Sequence, residues 1–172
     1  MKIVVCIKQV PDTTEIKINP TTGTLIRDGV PSIINPDDKA GLELALTLKD
    51  KFNAHITVIT MGPAQADAVL REAFAMGVDR AIHLTDRKFA GADTLATSHA
   101  LAGALRKLEF DLLVTGRQAI DGDTAQVGPQ IAEHLDLPQV SYLEHLEYDG
   151  KKTFTIKRAT EDGYEMLEVD GP

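Results

Sequence analysis

The chain has 172 residues, of which 43% are apolar and 26% charged, which is typical of one soluble globular domain. Its 18 basic and 26 acidic residues give a formal net charge of −8, which opposes a nucleic-acid surface, and no local basic patch offsets it. Aromatic residues make up 5% and tryptophan is absent, so the chain has few side chains that could stack on bases or form an aromatic membrane belt.

The cysteine content indicates a reducing compartment, and the hydropathy pattern bears on membrane spans and signal peptides. Cys6 is the single cysteine, so no internal disulfide can form, and no Cys/His cluster has the spacing of a zinc site. No apolar run is long enough for a membrane span, and the amino-terminal run is too short for a signal peptide. We expect a single domain over residues 1–172 in the cytoplasm, without membrane insertion.

The first third of the chain predicts a buried strand and a surface hairpin. Residues 2–8 contain a continuous apolar run rich in β-branched residues, which a central parallel strand covered on both faces requires. Residues 15–19 and 24–27 then alternate polar and apolar around a Pro/Gly turn at 19–23, the pattern of a hairpin.

The middle of the chain alternates helices and strands. Asn35 is predicted to be the N-cap of the first helix, with Pro36 at its first position, and Gly77 is predicted to end the second helix. The predicted helices are 36–52, 64–76, 95–108 and a last one through 135 ended by Pro138, and the strands between them are 55–60, 80–84 and 111–115.

The last part of the chain predicts an antiparallel extension over residues 140–172. Strands at 140–148, 152–158 and 165–169 are separated by Asp149-Gly150 and Asp162-Gly163 turns. Alternating strand–helix units with right-handed crossovers predict an α/β fold, a doubly wound and mainly parallel sheet, to which this small antiparallel sheet is attached.

Such a fold binds ligands beyond the carboxyl ends of its strands, where the strand order reverses. The strand exits supply Cys6 and Lys8, Met61 and Gly62, and the loop from Gly116 to Gly128. Within that loop, residues 121–128 combine small residues with hydroxyl and amide donors near a helix start, where free N–H groups attract phosphate. Equally, Asp123 can cap the helix and Gly122 make the turn, so both interpretations stay open.

Other candidate chemistry is weaker. Neither a P-loop nor the glycine fingerprint of dinucleotide-binding folds is present, so a nucleotide would be held differently. Catalysis or Mg²⁺ binding by Asp121 and Asp123 is not favoured, and no histidine has a partner four residues away. Cys6 is expected to be a packed thiol and not a nucleophile. The Lys8 side chain is expected either to contact a phosphate or to extend into solvent.

Several blocks of the sequence, in order, resemble the β subunit of electron transfer flavoproteins. They are 4–12, 35–38, 61–65, 75–81 and 116–123, with a carboxyl-terminal signature at 157–165, and they span nearly the whole chain. The resemblance implies an adenine-nucleotide-binding (HUP-like) α/β domain paired with an α subunit that carries the electron-transferring FAD. It also implies nucleotide contacts at Cys6, Asn35, Asp38, Met61, Asp121, Gly122, Asp123, Thr124, Ala125, Gln126, Val127 and Gly128, to which the strand exit adds Gly62.

The resemblance implies an electron carrier without bond-making catalysis of its own, but two nucleotides are compatible with it. The segment 121–129 looks like the anaerobic, butyryl-CoA-type branch, in which a second FAD takes electrons from NADH, and Gly122 and Ala125 leave room for a flavin. The alternative is structural AMP in a carrier that serves acyl-CoA dehydrogenases.

Two further expectations concern a function of another class and the carboxyl-terminal arm of the family. A nucleotide-binding stress or regulatory module shares the same alternating fold and would form a homodimer without a flavin partner. Family members continue past the signature near Arg158 into an arm that wraps the α subunit, so we expect this chain to lack that arm.

Overall fold

The computed structural model describes residues 1–12, 17–18, 25–26 and 31–171. In chain order its elements are β1 (Lys2–Cys6), β2 (Gln9–Pro11), β3 (Lys17–Ile18), β4 (Leu25–Ile26), β5 (Ser32–Ile34), α1 (Pro36–Phe52), β6 (His55–Met61), α2 (Asp67–Met76), β7 (Arg80–Leu84), α3 (Thr94–Leu105), β8 (Leu112–Thr115), α4 (Val127–Leu135), β9 (Leu143–Tyr148), β10 (Thr153–Thr160) and β11 (Gly163–Asp170). Short 3₁₀ turns precede α2 and α3, at Ala64–Ala66 and Arg87–Phe89.

The main sheet has four parallel strands in the order β7-β6-β1-β8. The chain steps outward from β1 to β6 and β7, then crosses back to place β8 on the other side of β1. At the carboxyl end of β1, Cys6 pairs with Ile59 of β6 and Thr115 of β8. The predicted central position of the first strand is confirmed, and the strand order reverses beside it.

Two hydrophobic clusters show that helices cover both faces of this sheet. Residues of α1 and α2, such as Leu42 and Val69, pack with Val5 in one cluster. Residues of α3 and α4, such as Leu101 and Ile131, pack with the opposite face of the same strands. The predicted doubly wound α/β fold is therefore confirmed.

Most helix ends follow the sequence signals. Pro36 opens α1, Gly77 ends α2 at a φ of 116°, and the Asp93 side chain accepts a 2.8 Å hydrogen bond from the Ala96 amide at the start of α3. The last helix ends at Leu135, as predicted. The residue that ends it is Asp136, which adopts a left-handed conformation with a φ of 54°, and not Pro138.

Two small ribbons lie between β1 and α1. Strands β3 and β4 pair antiparallel, as the hairpin prediction requires, while the predicted turn at 19–23 lies outside the described residues. Strands β2 and β5 also pair antiparallel and were not predicted. This second ribbon returns the chain from β1 to the start of α1.

Strands β9, β10 and β11 form the predicted antiparallel sheet, in the order β11-β10-β9. Leu146, Phe154 and Ile156 from this sheet are buried in the cluster on the α1 and α2 side. At the β9–β10 turn the Asp149 carboxylate accepts hydrogen bonds from three following amides, and Gly150 has a φ of 78°. Among the described residues, no helix has both the length and the apolar character needed to cross a bilayer.

Candidate functional site

The structure brings the predicted site residues to one edge of the main sheet. Cys6 ends β1 and Met61 ends β6, with Gly62 directly after it. Asn35 and Asp38 lie at the amino terminus of α1, and residues 121–128 connect β8 to the first turn of α4. All of them therefore lie at the carboxyl ends of the parallel strands, beside the point where the strand order reverses.

The Asp38 carboxylate joins the exits of β1 and β8. Its Oδ2 accepts a hydrogen bond from the Lys8 amide at 2.8 Å, and its Oδ1 accepts one from the Gly116 amide at 3.1 Å. The residue is 8% exposed, and this burial raises the pKa of the carboxyl to about 7, although the hydrogen bonds that it accepts work in the opposite direction. Asp38 thus connects the exits of two neighbouring strands through hydrogen bonds to their backbone amides.

Asn35 joins the start of α1 to the loop after β8. Asn35 is the N-cap residue of α1, as predicted, but its side chain makes no capping hydrogen bond. Instead, Nδ2 donates to the Gln118 carbonyl at 2.8 Å, and Oδ1 accepts from the Ile120 amide at 3.1 Å. The residue is fully buried, and its backbone amide donates to the Lys8 carbonyl at 2.9 Å. Because both ends of the side-chain amide bond to the loop, neither is left to cap the helix.

Two further ion and hydrogen-bond contacts complete this connection. The Lys8 ammonium donates to Asp121 Oδ1 at 2.7 Å, so its partner in the structure is neither of the two considered from the sequence. Asp37 Oδ2 accepts a 3.3 Å hydrogen bond from the Gln118 amide and lies 3.6 Å from the Arg117 guanidinium. Sequence reasoning did not single out Asp37 or Gln118, whose roles depend on contacts 81 residues apart.

The loop before α4 contains the expected turn at Gly122, whose amide donates to the Ala119 carbonyl at 3.1 Å, but not the expected helix cap. Asp123 accepts a 3.1 Å hydrogen bond from the Gln118 side chain and caps no helix, because α4 begins at Val127. Asp123 and Ala125 have φ angles of 48° and 52°, in the left-handed region that non-glycine residues rarely occupy. Gly122 is not in that region, and a Cβ placed on it would meet no atom within 4 Å. The interpretation of this segment as only a helix cap is therefore wrong.

The first turn of α4 carries amides that no side chain caps. Helix starts leave such N–H groups without an intrahelical acceptor, and the helix dipole makes this end attractive to anions. Gly128 lies in this turn against the end of β8, where a Cβ would stand 2.5 Å from Thr115 Oγ1. A larger residue at position 128 would therefore push the helix start away from the strand.

The starts of α3 and α4 are linked on the same side of the sheet. The Thr94 hydroxyl donates to Gln126 Oε1 at 3.0 Å and lies 3.5 Å from Gln130 Nε2. Gln130 Oε1 is buried and has no hydrogen-bond partner. Thr94 and Gln130 were not predicted as site residues, and the unpartnered carbonyl is an acceptor available to a bound donor.

Cys6, Met61 and Val127 form the apolar part of the site. All three pack against the cluster on the α3 and α4 face. Burial, with a smaller contribution from the Asp38 charge, raises the pKa of the Cys6 thiol to about 12, so the thiolate is scarcely populated at neutral pH. Across the described ranges, no group of three or more His, Cys, Asp or Glu side chains is arranged to hold a metal ion.

The edge described above combines an apolar floor, an uncapped helix start and a loop fixed by side chains from a neighbouring helix. This is the arrangement of doubly wound α/β proteins, whose ligands lie in the crevice beyond the strand ends. A family model described as "Electron transfer flavoprotein domain" matches residues 22–172. The chain belongs to the electron transfer flavoprotein family.

Similar proteins support the same assignment. The electron transfer flavoprotein subunit beta of Clostridium acetobutylicum is 64% identical over 172 residues, and the Caffeyl-CoA reductase-Etf complex subunit CarD of Acetobacterium woodii is 56% identical over 174. Protein FixA of Azotobacter vinelandii is 50% identical over 178 residues. Each match covers 100% of this chain but only 66%, 66% and 63% of the respective relative, so the chain spans less than two thirds of their length.

Proposed function

We propose that this chain is the nucleotide-binding part of an electron transfer flavoprotein β subunit. The observation that carries the proposal is the uncapped first turn of α4, which faces the carboxyl edge of the sheet behind a loop of left-handed residues. The amides of Val127 and Gly128 would receive the phosphates. The apolar side chains of Cys6 and Met61 would support the rest of the nucleotide.

The donors and acceptors present fit a nucleotide. The carboxylates around the site are already engaged, because the Lys8 ammonium partly neutralises Asp121 and Asp123 accepts a hydrogen bond from the Gln118 side chain. The unpartnered Gln130 carbonyl offers an acceptor to an amino group such as that of adenine. Hydrogen exchange tests this placement: added AMP or FAD should slow exchange of the Val127 and Gly128 amides, and unchanged exchange there would refute it.

We propose FAD as the nucleotide, with NADH as electron donor, in a complex with an α subunit. Position 122 supports FAD, because the exposed Gly122 leaves open space into which the ligand can extend beyond its phosphates. When bound, the isoalloxazine ring supplies the electron-transfer chemistry, and the protein orients it and sets its surroundings. The proposed partners that exchange electrons with the complex are acyl-CoA dehydrogenase-type flavoenzymes. The proposed location is the cytoplasm.

An anaerobic titration of the co-purified complex tests the electron donor. NADH should bleach the flavin absorbance, whereas dithionite serves as a positive control for any flavin present. Bleaching by dithionite alone would favour the second candidate, a carrier with structural AMP in this site. Membership in the electron transfer flavoprotein family counts against the alternative of a nucleotide-binding regulatory module. A stable homodimer that purifies without any flavin subunit would support that alternative.

A further inference from the structure

We propose that a cavity at the amino-terminal edge of the main sheet binds a small oxyanion of the phosphate class. The cavity has a volume of about 240 Å³ and lies at the ends of the strands opposite the nucleotide edge. The starts of β1, β6 and β7 and the segment after α3 supply its polar lining, which consists of Lys2, His55, Thr57, Arg80, Lys107 and Glu109. It shares no residue with the nucleotide site, so the inference does not depend on the proposed function.

The strand register places the lining side chains next to one another on one face of the sheet. Lys2 of β1 pairs with His55 of β6. Two residues further on, Val4 pairs with Thr57, and Thr57 pairs with Arg80 of β7. Side chains two residues apart in a strand point to the same face. This face is the one that α3 and α4 cover, because Val4 packs in their cluster.

The floor of the cavity presents a hydroxyl group without a partner. Thr57 is 7% exposed, and its side chain makes no hydrogen bond within the part of the chain that the structure describes. Its neighbour Val4 is 2% exposed and offers only methyl groups. Because buried hydroxyls are ordinarily hydrogen-bonded, the Thr57 hydroxyl is available to a ligand that enters the cavity.

The side chains around this hydroxyl are mainly cationic, although the chain as a whole has a net charge of −8. Glu109 lines the cavity but pairs with Lys2 at 2.6 Å. Neither Arg80 nor Lys107 forms an ion pair with any described residue. Lys107 also follows the carboxyl end of α3, where a cation offsets the negative end of the helix dipole. Two cationic groups are therefore left to bind an anion.

Two further carboxylates at this edge, those of Asp79 and Asp111, are bound to other groups. Asp79 accepts hydrogen bonds from the Lys49 ammonium at 2.6 Å and from the Ile56 amide at 2.8 Å. Asp111 accepts one from the Lys2 backbone amide at 2.7 Å. Neither carboxylate lines the cavity, so neither neutralises the cations that do.

The donors in the cavity fit an anion with several oxygens. A guanidinium donates two parallel hydrogen bonds to two oxygens of a phosphate, and an ammonium and a hydroxyl each add another donor. A phosphate group can accept from all three at once. Chloride is a single acceptor atom and cannot match the two-pronged geometry of the Arg80 guanidinium.

Amide chemical shifts report whether inorganic phosphate binds here. The protein is studied as purified, with any subunit and nucleotide that accompany it. Potassium phosphate should cause saturable shifts of the Thr57 and Arg80 amides, and potassium chloride at the same ionic strength should not. Equal shifts in the two salts would overturn the inference. Shifts confined to Val127 and Gly128 would place the phosphate at the start of α4 and would overturn it as well.

Two variants test the assigned contacts. Thr57→Val removes the hydroxyl at nearly constant volume, and Arg80→Gln removes the guanidinium. Each should weaken phosphate binding about tenfold, because each removes hydrogen bonds to a charged ligand. The affinity is read from the amide of whichever of the two residues is unchanged. Wild-type affinity in both variants would contradict the site.

Matched controls separate direct contacts from general effects. Lys51→Gln removes an exposed cation from the last turn of α1, outside the cavity. Thr60→Val removes an unpartnered hydroxyl from the same strand as Thr57, but on the opposite face of the sheet. Both controls should bind phosphate with wild-type affinity. If Lys51→Gln weakened binding as much as Arg80→Gln, the effect would be one of overall charge and the inference would fail.

Discussion

The amide of Gly116 lies 3.1 Å from Oδ1 of Asp38, and a Cβ at position 116 would stand 2.1 Å from the same oxygen. Gly116, which directly follows β8, and Asp38, in the first turn of α1, are thus in direct contact, although they lie 78 positions apart. This contact brings the exits of β1 and β8 together under the proposed nucleotide.

Replacing Gly116 with alanine should therefore damage both the fold and the site. The added methyl group cannot be accommodated by rotation of a flexible side-chain end, because it also approaches the Asp38 nitrogen and the Asp37 carbonyl carbon. Overpacking of this kind costs about 1–3 kcal/mol, which corresponds to a Tm lower by roughly 2–12 °C for a chain of this size. Thermal unfolding followed by circular dichroism measures the change.

Gly103→Ala is the matched control for Gly116→Ala. Gly103 lies inside α3, and a Cβ placed on it meets no atom within 4 Å. Alanine is favoured over glycine in a helix by about 0.5–1 kcal/mol, so the Tm should stay the same or rise. Equal Tm losses in the two variants would show that the contact with Asp38 is not what makes Gly116 necessary.

Gly122→Val should separate nucleotide binding from folding. Gly122 does not have a left-handed φ, and a Cβ there meets nothing in the structure, so the Tm of the nucleotide-free protein should change little. Nucleotide content should nevertheless fall about tenfold, because the branched side chain occupies space that the ligand approaches. Nucleotide content is measured by absorbance after denaturation. Full occupancy in this variant would place the ligand away from the loop.

Burial of Asp38 should make stability depend on pH. The pKa of this carboxyl rises from 3.8 to about 7 on folding, so between those values the folded state binds more protons than the unfolded state. The Asp38 contribution to the free energy of unfolding should then decrease as pH rises from about 4 to 7, by at most about 1.4 kcal/mol per pH unit, and stay constant above that range.

Asp38→Asn isolates this contribution. The charged and titratable groups near Asp38 are Asp37 on its own helix, Cys6 on β1, and Arg117 beside Asp37, and all are retained in the variant. Chemical denaturation from pH 4 to 8 should give a more negative slope of stability against pH for the wild type than for the variant. Parallel curves would show that Asp38 titrates at an ordinary pKa in the folded protein.

Cys6 should resist alkylation in the folded chain. Cys6 is half-buried, and desolvation raises the pKa of its thiol from 9.0 to about 12, so the thiolate fraction at pH 8 falls on the order of 1,000-fold. Mass spectrometry after iodoacetamide treatment should show slow modification until denaturant is added, and rapid modification after that. Similar rates with and without denaturant would contradict the packed environment proposed for this residue.

The sequence predicted the architecture well because its signals are local. The β-branched run at 2–8 and the alternation of helical and strand patterns follow from hydrophobic periodicity, and Pro36, Gly77 and Asp93 mark helix ends through their own backbone or side-chain chemistry. The end of α4 at residue 135 was also predicted, but the residue responsible is Asp136, which adopts a left-handed conformation before Pro138 is reached.

The internal connections of the site could not be predicted in the same way. Asn35 has the ordinary character of an N-cap residue, and only the fold reveals that its amide meets Gln118 and Ile120 some 83 and 85 positions away. Asp123 likewise has the residue type of a cap, but the helix begins four positions later. Long-range pairing decided the role of Asn35, and Asp123 pairs with Gln118 five positions away in an irregular loop, which no helix or strand pattern predicts.

Identification of the nucleotide released by denaturing the purified complex tests the central proposal most directly. Chromatography should find two equivalents of FAD for each pair of α subunit and this β chain, one of them held by this chain, with no AMP. One FAD together with one AMP per pair would contradict the proposed flavin in this site, and a single FAD without AMP would contradict a nucleotide at the start of α4.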